Sequence, residues 1–229
     1  LGPCHAAPDG VPDPSDPTNT DKRVFTPGYY CDTNPSPNAG GIELLSTTGQ
    51  SNTLEPGVYF VDGSVHINGA SLYGENVIIV MVDTVEGTFD FNGNGALTLI
   101  GPTYEDIFNA PSPAFDLILD QGVDPTSHNW AGLSLYLTMT SDLGDSNPCS
   151  NKINGTAYME VSGAVYAPNT CITFTGNNTS GSSDDSCFQL IAGNITLAGN
   201  VTMSSSNCQM GGGAGGNGST YGTIVGLVE

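Results

Sequence analysis

The chain has 229 residues, and its 3 Lys and Arg residues against 23 Asp and Glu residues give a formal net charge of -20. A surface with so few cations cannot neutralise phosphates, so the composition excludes nucleic-acid binding and attachment to anionic lipid through a basic patch. Charged residues make up only 11% of the chain and hydrophobic residues 38%, so there is enough apolar material for a folded core.

Residues 1–23 form a first segment that is rich in Pro and Asp and shows no apolar periodicity. Proline fixes φ and removes a backbone donor, so we expect an extended arm here and not a helix or a central strand. A single domain follows at residues 24–229. We expect the arm to contact another subunit, whose carboxylates its cations would meet, and these residues are the candidates for that contact: Leu1, Pro3, Lys22 and Arg23.

From residue 24 onward, short β-prone segments alternate with turns that are rich in Gly and Asn. Both residues tolerate the positive φ that a sharp turn requires. The longest apolar run, residues 77–82, is far shorter than the roughly 20 residues that cross a bilayer, so no membrane span is expected. We predict strands at residues 58–61, 64–67, 77–82, 88–91, 96–100, 115–119, 133–139, 157–161, 164–166, 172–175, 188–192, 195–197, 201–203 and 223–228.

Repetition among these segments favours a coil over a sandwich. The turn at residues 67–70 is similar to the turn at 91–94, and the segment at residues 25–30 is similar to the one at 54–60. Short, similar strands joined by such turns are typical of solenoids. We predict an all-β fold, a right-handed parallel β-helix (a β-solenoid of short strands with Gly/Asn corners), with a β-sandwich as the alternative.

Several motifs resemble a known family. They are Pro56-Gly57-Val58-Tyr59-Phe60, the two turns above, the segments at residues 161–168 and 187–192, and Gly226-Leu227-Val228-Glu229. In this order they resemble the C-terminal β-solenoid region of TadG-like proteins, which are associated with tight-adherence pilus assembly and the microbial envelope. The resemblance covers residues 24–229 and implies a secreted or surface structural module without catalytic residues.

Six cysteines occur without the CxxC spacing of zinc and redox sites. An even number of cysteines without metal spacing favours disulfides and an oxidising, extracellular or cell-surface location. Many pairings are open, and we favour the one between sequence neighbours, which joins Cys4 with Cys31, Cys149 with Cys171 and Cys187 with Cys208.

Asn-x-Ser/Thr sequons offer sites for glycosylation in a secreted protein, and they start at Asn154, Asn177, Asn178, Asn194, Asn200 and Asn217. No cofactor is expected. The acidic tract at residues 13–21 and the pair Asp184-Asp185 supply oxygen ligands of the kind that calcium takes, but no calcium-binding repeat is present. We expect loosely held counterions there.

Many parallel β-helices cleave polysaccharides, so a catalytic site is one alternative for this chain. Candidate acid pairs come from two groups of carboxylates, Asp83, Glu86 and Asp90, and Asp116 and Asp120. A lyase also needs a cationic base, and the only Lys and Arg residues are Lys22, Arg23 and Lys152. His5, His66 and His128 are scattered without a nucleophile pattern. We therefore expect no enzymatic activity.

The sequence favours a secreted structural protein, a subunit of an extracellular filament or surface layer that assembles from copies of itself. The first alternative is an adhesin or glycan-binding surface module, in which aromatic side chains stack on sugars, the candidates being Trp130, Tyr29, Tyr30 and Tyr136. The second alternative is a β-helix polysaccharide lyase or hydrolase.

Overall fold

The structure is a computed structural model, which describes residues 4–6, 11–12, 22–31, 41–45, 51–82, 87–93, 95–109, 114–115, 130–138, 149–155, 159–176, 179–180, 188–200 and 202–203. The strands are β1 (Cys4–Ala6), β2 (Val11–Pro12), β3 (Lys22–Phe25), β4 (Gly28–Cys31), β5 (Gly41–Leu45), β6 (Ser51–Leu54), β7 (Gly57–Asp62), β8 (Ser64–Asn68), β9 (Ser71–Glu75), β10 (Val77–Val82), β11 (Phe89–Gly93), β12 (Leu97–Ile100), β13 (Leu133–Leu137), β14 (Asn151–Gly155), β15 (Met159–Gly176), β16 (Thr179–Ser180), β17 (Phe188–Gly199) and β18 (Thr202–Met203). One helix, α1 (Tyr104–Asn109), lies between β12 and β13.

Most strands pair in parallel and fall into three ladders. The first ladder contains β3, β6, β9, β12 and the start of β15. The second contains β1, β4, β7, β10, β13, the middle of β15 and the first half of β17. The third contains β5, β8, β11, β14, the end of β15 and the second half of β17. The prediction of an all-β protein built from parallel strands is confirmed.

The chain visits the three ladders in a fixed order, as in β6, β7 and β8 and again in β9, β10 and β11. The sheet therefore curls on itself. The predicted strands are short, but β15 has 18 residues and β17 has 12. These two strands are long because each continues from one ladder into the next with little or no intervening link, so the pairing is hardly interrupted.

Side chains that point into the curled sheet form one apolar core. Alternate residues of a strand face opposite sides, so each ladder contributes rows of inward residues in register. In the third ladder, Phe91 is paired with Ile67 on one side and Ile153 on the other, and all three are at most 2% exposed. Polar Asn151 also lies in the core, where its side chain accepts a hydrogen bond from the Phe89 amide and donates to Thr170 Oγ1 and the Cys171 carbonyl.

The described parts of the N-terminal arm pair with later strands of the same chain. Strand β1 pairs in parallel with β4, and β2 pairs antiparallel with β3. The His5 ring stacks on Tyr30 with 5.2 Å between the ring centroids. The arm thus lies along the N-terminal edge of two ladders, where Pro12 of β2 is tolerated because an edge strand needs fewer donors. The expected boundary at residues 23 and 24 falls inside β3.

Two tyrosines bind backbone carbonyls in the same local pattern. The Tyr30 hydroxyl donates to the Thr26 carbonyl at 2.7 Å, and the Tyr59 hydroxyl lies 2.8 Å from the Glu55 carbonyl, each four residues back across a Pro-Gly pair. The Tyr59 hydroxyl is also 2.8 Å from the Phe25 carbonyl of the preceding turn. Burial raises the pKa of Tyr59 well above its ordinary value, so the hydroxyl keeps its proton. The similarity of residues 25–30 and 54–60 thus has a structural counterpart.

We expect Tyr59→Phe to lower the free energy of unfolding by about 1 kcal/mol, because it removes the hydrogen bond of a buried hydroxyl, while the Phe25 carbonyl still accepts from the Glu55 amide. Urea denaturation followed by circular dichroism measures the change. The matched control is Tyr73→Phe, since Tyr73 is 44% exposed and its hydroxyl bonds to Glu75 at the surface, so its effect should stay within about 0.5 kcal/mol. Equal effects of the two substitutions would contradict the buried role of Tyr59.

Candidate functional site

The outer side of the second ladder carries a row of large apolar and aromatic residues. Successive strands are paired in register through Tyr29, Phe60, Val80, Tyr136, Tyr166 and Ile191. Because side chains alternate along each strand, these six share the face opposite to the core residues. A row of this kind needs either a cover or a partner, since large contiguous apolar patches are rare on soluble monomers.

The middle of this row has a cover from the same chain. A second apolar cluster joins Val58, Ile78 and Val80 to residues from the segment between β12 and β13, namely Ile107, Phe115 and Ala131. Strand β10 is consequently buried on both faces from Val77 to Met81. The segment is held in part by α1, whose first turn is closed by reciprocal hydrogen bonds between Thr103 and Asp106.

Beyond this cover the row becomes accessible at its end, while Trp130 and Tyr136 stay partly buried against the covering cluster. The ring centroids of Trp130 and Tyr136 are 6.3 Å apart in an edge contact, and those of Tyr136 and Tyr166 are 5.4 Å apart. Tyr166 is 36% exposed and Ile191 43% exposed. We call Trp130, Tyr136, Tyr166 and Ile191 the aromatic face. It is an apolar surface on a chain of charge -20, and such surfaces mark contacts with other molecules.

Only part of the expected aromatic platform comes together. Trp130 and Tyr136 are in contact, as a shared platform requires. Tyr30 points into the core, is 1% exposed and stacks between His5 and Tyr59. Tyr29 occupies the same outer row, but Phe60 and Val80 separate it from Tyr136.

The Tyr29 hydroxyl has its own partner in the outer row. It donates to Asp62 at 2.8 Å, and this hydrogen bond, followed by burial and the Asp62 charge, raises the pKa of Tyr29.

The sequence does not predict Tyr166 and Ile191 as part of the aromatic face. The number of residues between successive strands varies along the chain, so only the strand register shows that these two residues follow Tyr136.

The outer side of the third ladder is polar. In register across it lie His66, Asp90 and Lys152. His66 Nδ1 is 3.6 Å from Asp90 Oδ2, a pair that is ionic when His66 is protonated. The candidate catalytic carboxylate Asp90 therefore lies between a histidine on one neighbouring strand and a lysine on the other.

The other four candidate acids, Asp83, Glu86, Asp116 and Asp120, lie outside the described residues, as does His128. Among the described residues, no group of three or more His, Cys, Asp or Glu side chains is arranged to hold a metal ion. The acidic tract at residues 13–21 and the pair Asp184-Asp185 also lie outside the described residues. The expectation of loosely held counterions there stays a prediction.

The cysteines agree with a disulfide-bonded protein. Cys149 and Cys171 form a disulfide with 5.5 Å between their Cα atoms, as the preferred pairing predicts. Cys31 is also in a disulfide. The pairing of Cys4 with Cys31 stays a prediction, because the Cys4 side chain is outside the described residues, as are Cys187 and Cys208. The Cys149–Cys171 disulfide ties the start of β14 to β15 beside the buried Asn151.

The asparagines of three sequons are among the described residues, and each is accessible. Asn154, Asn194 and Asn200 are exposed, and the Asn154 side-chain amide lies 3.5 Å from the Asn92 side-chain oxygen. Asn177, Asn178 and Asn217 are outside the described residues. Glycosylation stays a prediction.

Two of the four candidate contact residues of the arm are among the described residues. Lys22 is exposed and Arg23 half-buried on β3, while Leu1 and Pro3 are outside the described residues. Arg23 is paired with Asn52 of β6 and with Pro12 of β2, so its backbone takes part in the pairing of the arm with its own chain.

No helix in the described part of the chain has the length and apolar character that crossing a bilayer requires.

Comparison with known proteins returned no match: no family model, no curated protein and no solved structure is similar to this chain at a significant level.

Proposed function

We propose that this chain is a right-handed parallel β-helix that serves as a secreted structural subunit of an extracellular filament or surface layer. The fixed order of the three ladders around one apolar core supports the helix, and crossovers between parallel strands are nearly always right-handed. The resemblance to the solenoid region of TadG-like proteins points to the same architecture and to the microbial surface.

The single observation that carries the functional proposal is the aromatic face. It joins partly buried Trp130 and Tyr136 to exposed Tyr166 and Ile191, and aromatic residues are enriched in the centres of protein interfaces. On a subunit of charge -20, an apolar contact also offsets the repulsion between copies. We propose that copies associate side by side through this face.

The arm has a different role in this proposal from the one that its composition suggested. Its described strands pair with β3 and β4 of the same chain, where they shield strand edges that would otherwise be open to another chain. We propose that the arm caps the N-terminal end of the β-helix and that contacts between subunits use the outer faces.

A glycan-binding surface module is the second candidate. The edge contact between Trp130 and Tyr136 favours it, because adjacent aromatic rings form the apolar surface on which a sugar stacks. In that case, a neutral glycan would bind the aromatic face of a chain that stays monomeric.

Sedimentation velocity over a range of protein and salt concentrations separates these functions. A self-assembling subunit should form larger species as protein concentration rises, and more so at about 1 M salt, where screening shortens the range of repulsion to about 3 Å. A chain that stays monomeric under all conditions, and whose tryptophan fluorescence changes on addition of neutral glucans, would contradict the structural proposal and favour the glycan-binding one.

A further inference from the structure

Strand β17 leaves two core positions of the third ladder exposed. In the part of the chain that the structure describes, β17 pairs with β15 alone, and no strand lies along its other edge. Its inward residues Ile195 and Leu197 are in register with Ile172 and Phe174, which are fully buried. Ile195 itself is 42% exposed and Leu197 50% exposed. The second half of β17 is therefore an open strand edge with apolar side chains beside it.

The opposite end of the core is closed. Strands β3, β4 and β5 carry Phe25, Tyr30 and Ile42 at inward positions, and each of these residues is at most 2% exposed. Strands β2 and β1 cover β3 and β4, and Pro12 of β2 has no amide donor for a further strand. A head-to-tail stack of copies would thus set an open edge against a closed end. Two C-terminal ends, in contrast, present the same open edge to each other.

The edge of β17 also lacks two features that usually keep edge strands apart, namely charged side chains and proline. The 12 residues of β17 include no Asp, Glu, Lys, Arg, His or Pro, although the chain has 23 Asp and Glu residues. Two copies that meet through β17 therefore bring no charged side chain of this strand against another. Uncharged segments of high β-propensity without proline are also those that pair readily with copies of themselves.

We propose that two copies of this chain pair through the open edges of their β17 strands, antiparallel and about a two-fold axis. Such a contact uses the same edge on both copies, so each strand supplies the hydrogen-bond partners that the other needs. The axis passes near Gly193, where β17 leaves the second ladder and enters the third. Leu190 and Ala192, which are only partly buried on the core, then lie against the half of the partner strand that contains Ile195 and Leu197.

This contact is additional to the proposed association through the aromatic face, and either contact can fail without the other. The aromatic face uses outward residues of the second ladder, whereas the β17 contact uses the backbone edge and the inward residues beside it. The first contact joins copies side by side, and the second joins them in pairs, end to end. An assembly that uses both has no polarity along the axis of the β-helix, because the two copies of a pair point in opposite directions.

Sedimentation velocity of the Tyr166→Asp variant, in which the aromatic face carries a charge, tests the β17 contact alone. We expect this variant to form a dimer as its concentration rises. Adding Leu197→Asp should weaken the dimer by about 30-fold or more, because the contact would bury a carboxylate among apolar side chains. Asn92→Asp is the matched control, since it adds the same charge at an exposed position of β11, away from the edge. It should change the dimer affinity by less than about threefold.

Hydrogen exchange read by mass spectrometry tests the edge without any substitution in β17. We expect the amides of residues 189–198 to exchange about 10-fold or more slowly in the dimer than in the monomer obtained by dilution, while exchange in β7 and β10 stays the same. Exchange in β7 and β10 also reports that the Leu197→Asp variant is folded.

Three results would overturn the proposal. They are a Tyr166→Asp variant that stays monomeric at every concentration, equal losses of affinity for Leu197→Asp and Asn92→Asp, and protection of residues 189–198 that is as strong in the monomer as at high concentration. The last result would assign the open edge to residues of the same chain. None of the three bears on the aromatic face, which the unmodified chain and Tyr166→Asp test by themselves.

Discussion

We expect Phe91→Ala to lower the free energy of unfolding by about 3–5 kcal/mol, the usual cost of removing a large aromatic side chain from a closed core. Phe91 is 2% exposed and lies between Ile67 and Ile153 in the middle of the third ladder. Neighbouring strands cannot move inward to fill the space, because their spacing is set by the backbone hydrogen bonds of the ladder. The cavity should therefore remain largely open.

Thermal or urea unfolding measures this change, and Asn92→Ala is the matched control. Asn92 is the next residue of the same strand and is exposed, so we expect an effect below about 1 kcal/mol. A loss of less than about 1 kcal/mol for Phe91→Ala would mean that this row does not face a closed core.

The second large effect concerns assembly. Tyr166→Asp should weaken the association of copies by about 30-fold or more, because a buried interface tyrosine contributes about 2 kcal/mol and the new carboxylate adds repulsion. Tyr166 is at the accessible end of the aromatic face, 36% exposed and in ring contact with Tyr136. Its replacement should therefore leave the monomer folded.

Tyr73→Asp provides the control for this substitution. It introduces the same charge at a tyrosine that is 44% exposed, but on β9 of the first ladder and outside the aromatic face. Sedimentation velocity should show unchanged association for this variant. If both variants weaken association equally, the added charge and not the aromatic face accounts for the loss.

Strongly apolar strands could be predicted from the sequence, and polar ones could not. The run at residues 77–82 was correctly predicted as a strand and is β10. Strand β14 (Asn-Lys-Ile-Asn-Gly) was missed, because two of its inward positions are Asn151 and Ile153 and its outward ones are Lys152 and Asn154. Asn151 is acceptable in the core only because its hydrogen bonds to Phe89, Thr170 and Cys171 are complete.

The arrangement of the candidate site depended on register, which the sequence does not specify. Tyr29 and Tyr30 are adjacent in sequence and were grouped together, yet alternation places Tyr29 outside and Tyr30 in the core. His66 and Asp90 were assigned to different groups, yet the pairing of β8 with β11 brings them together. In the segment that covers β10, the sequence predicts a strand at residues 115–119, but Phe115, the one residue of that range that the structure describes, lies in a turn.

Electron microscopy of the purified chain in negative stain, at high protein and salt concentration, tests the central claim most directly. We expect filaments or ordered sheets of laterally packed rods for the unmodified chain and for Tyr73→Asp, and isolated particles for Tyr166→Asp. Isolated particles for the unmodified chain under every condition would contradict the proposal that this protein is a self-assembling structural subunit.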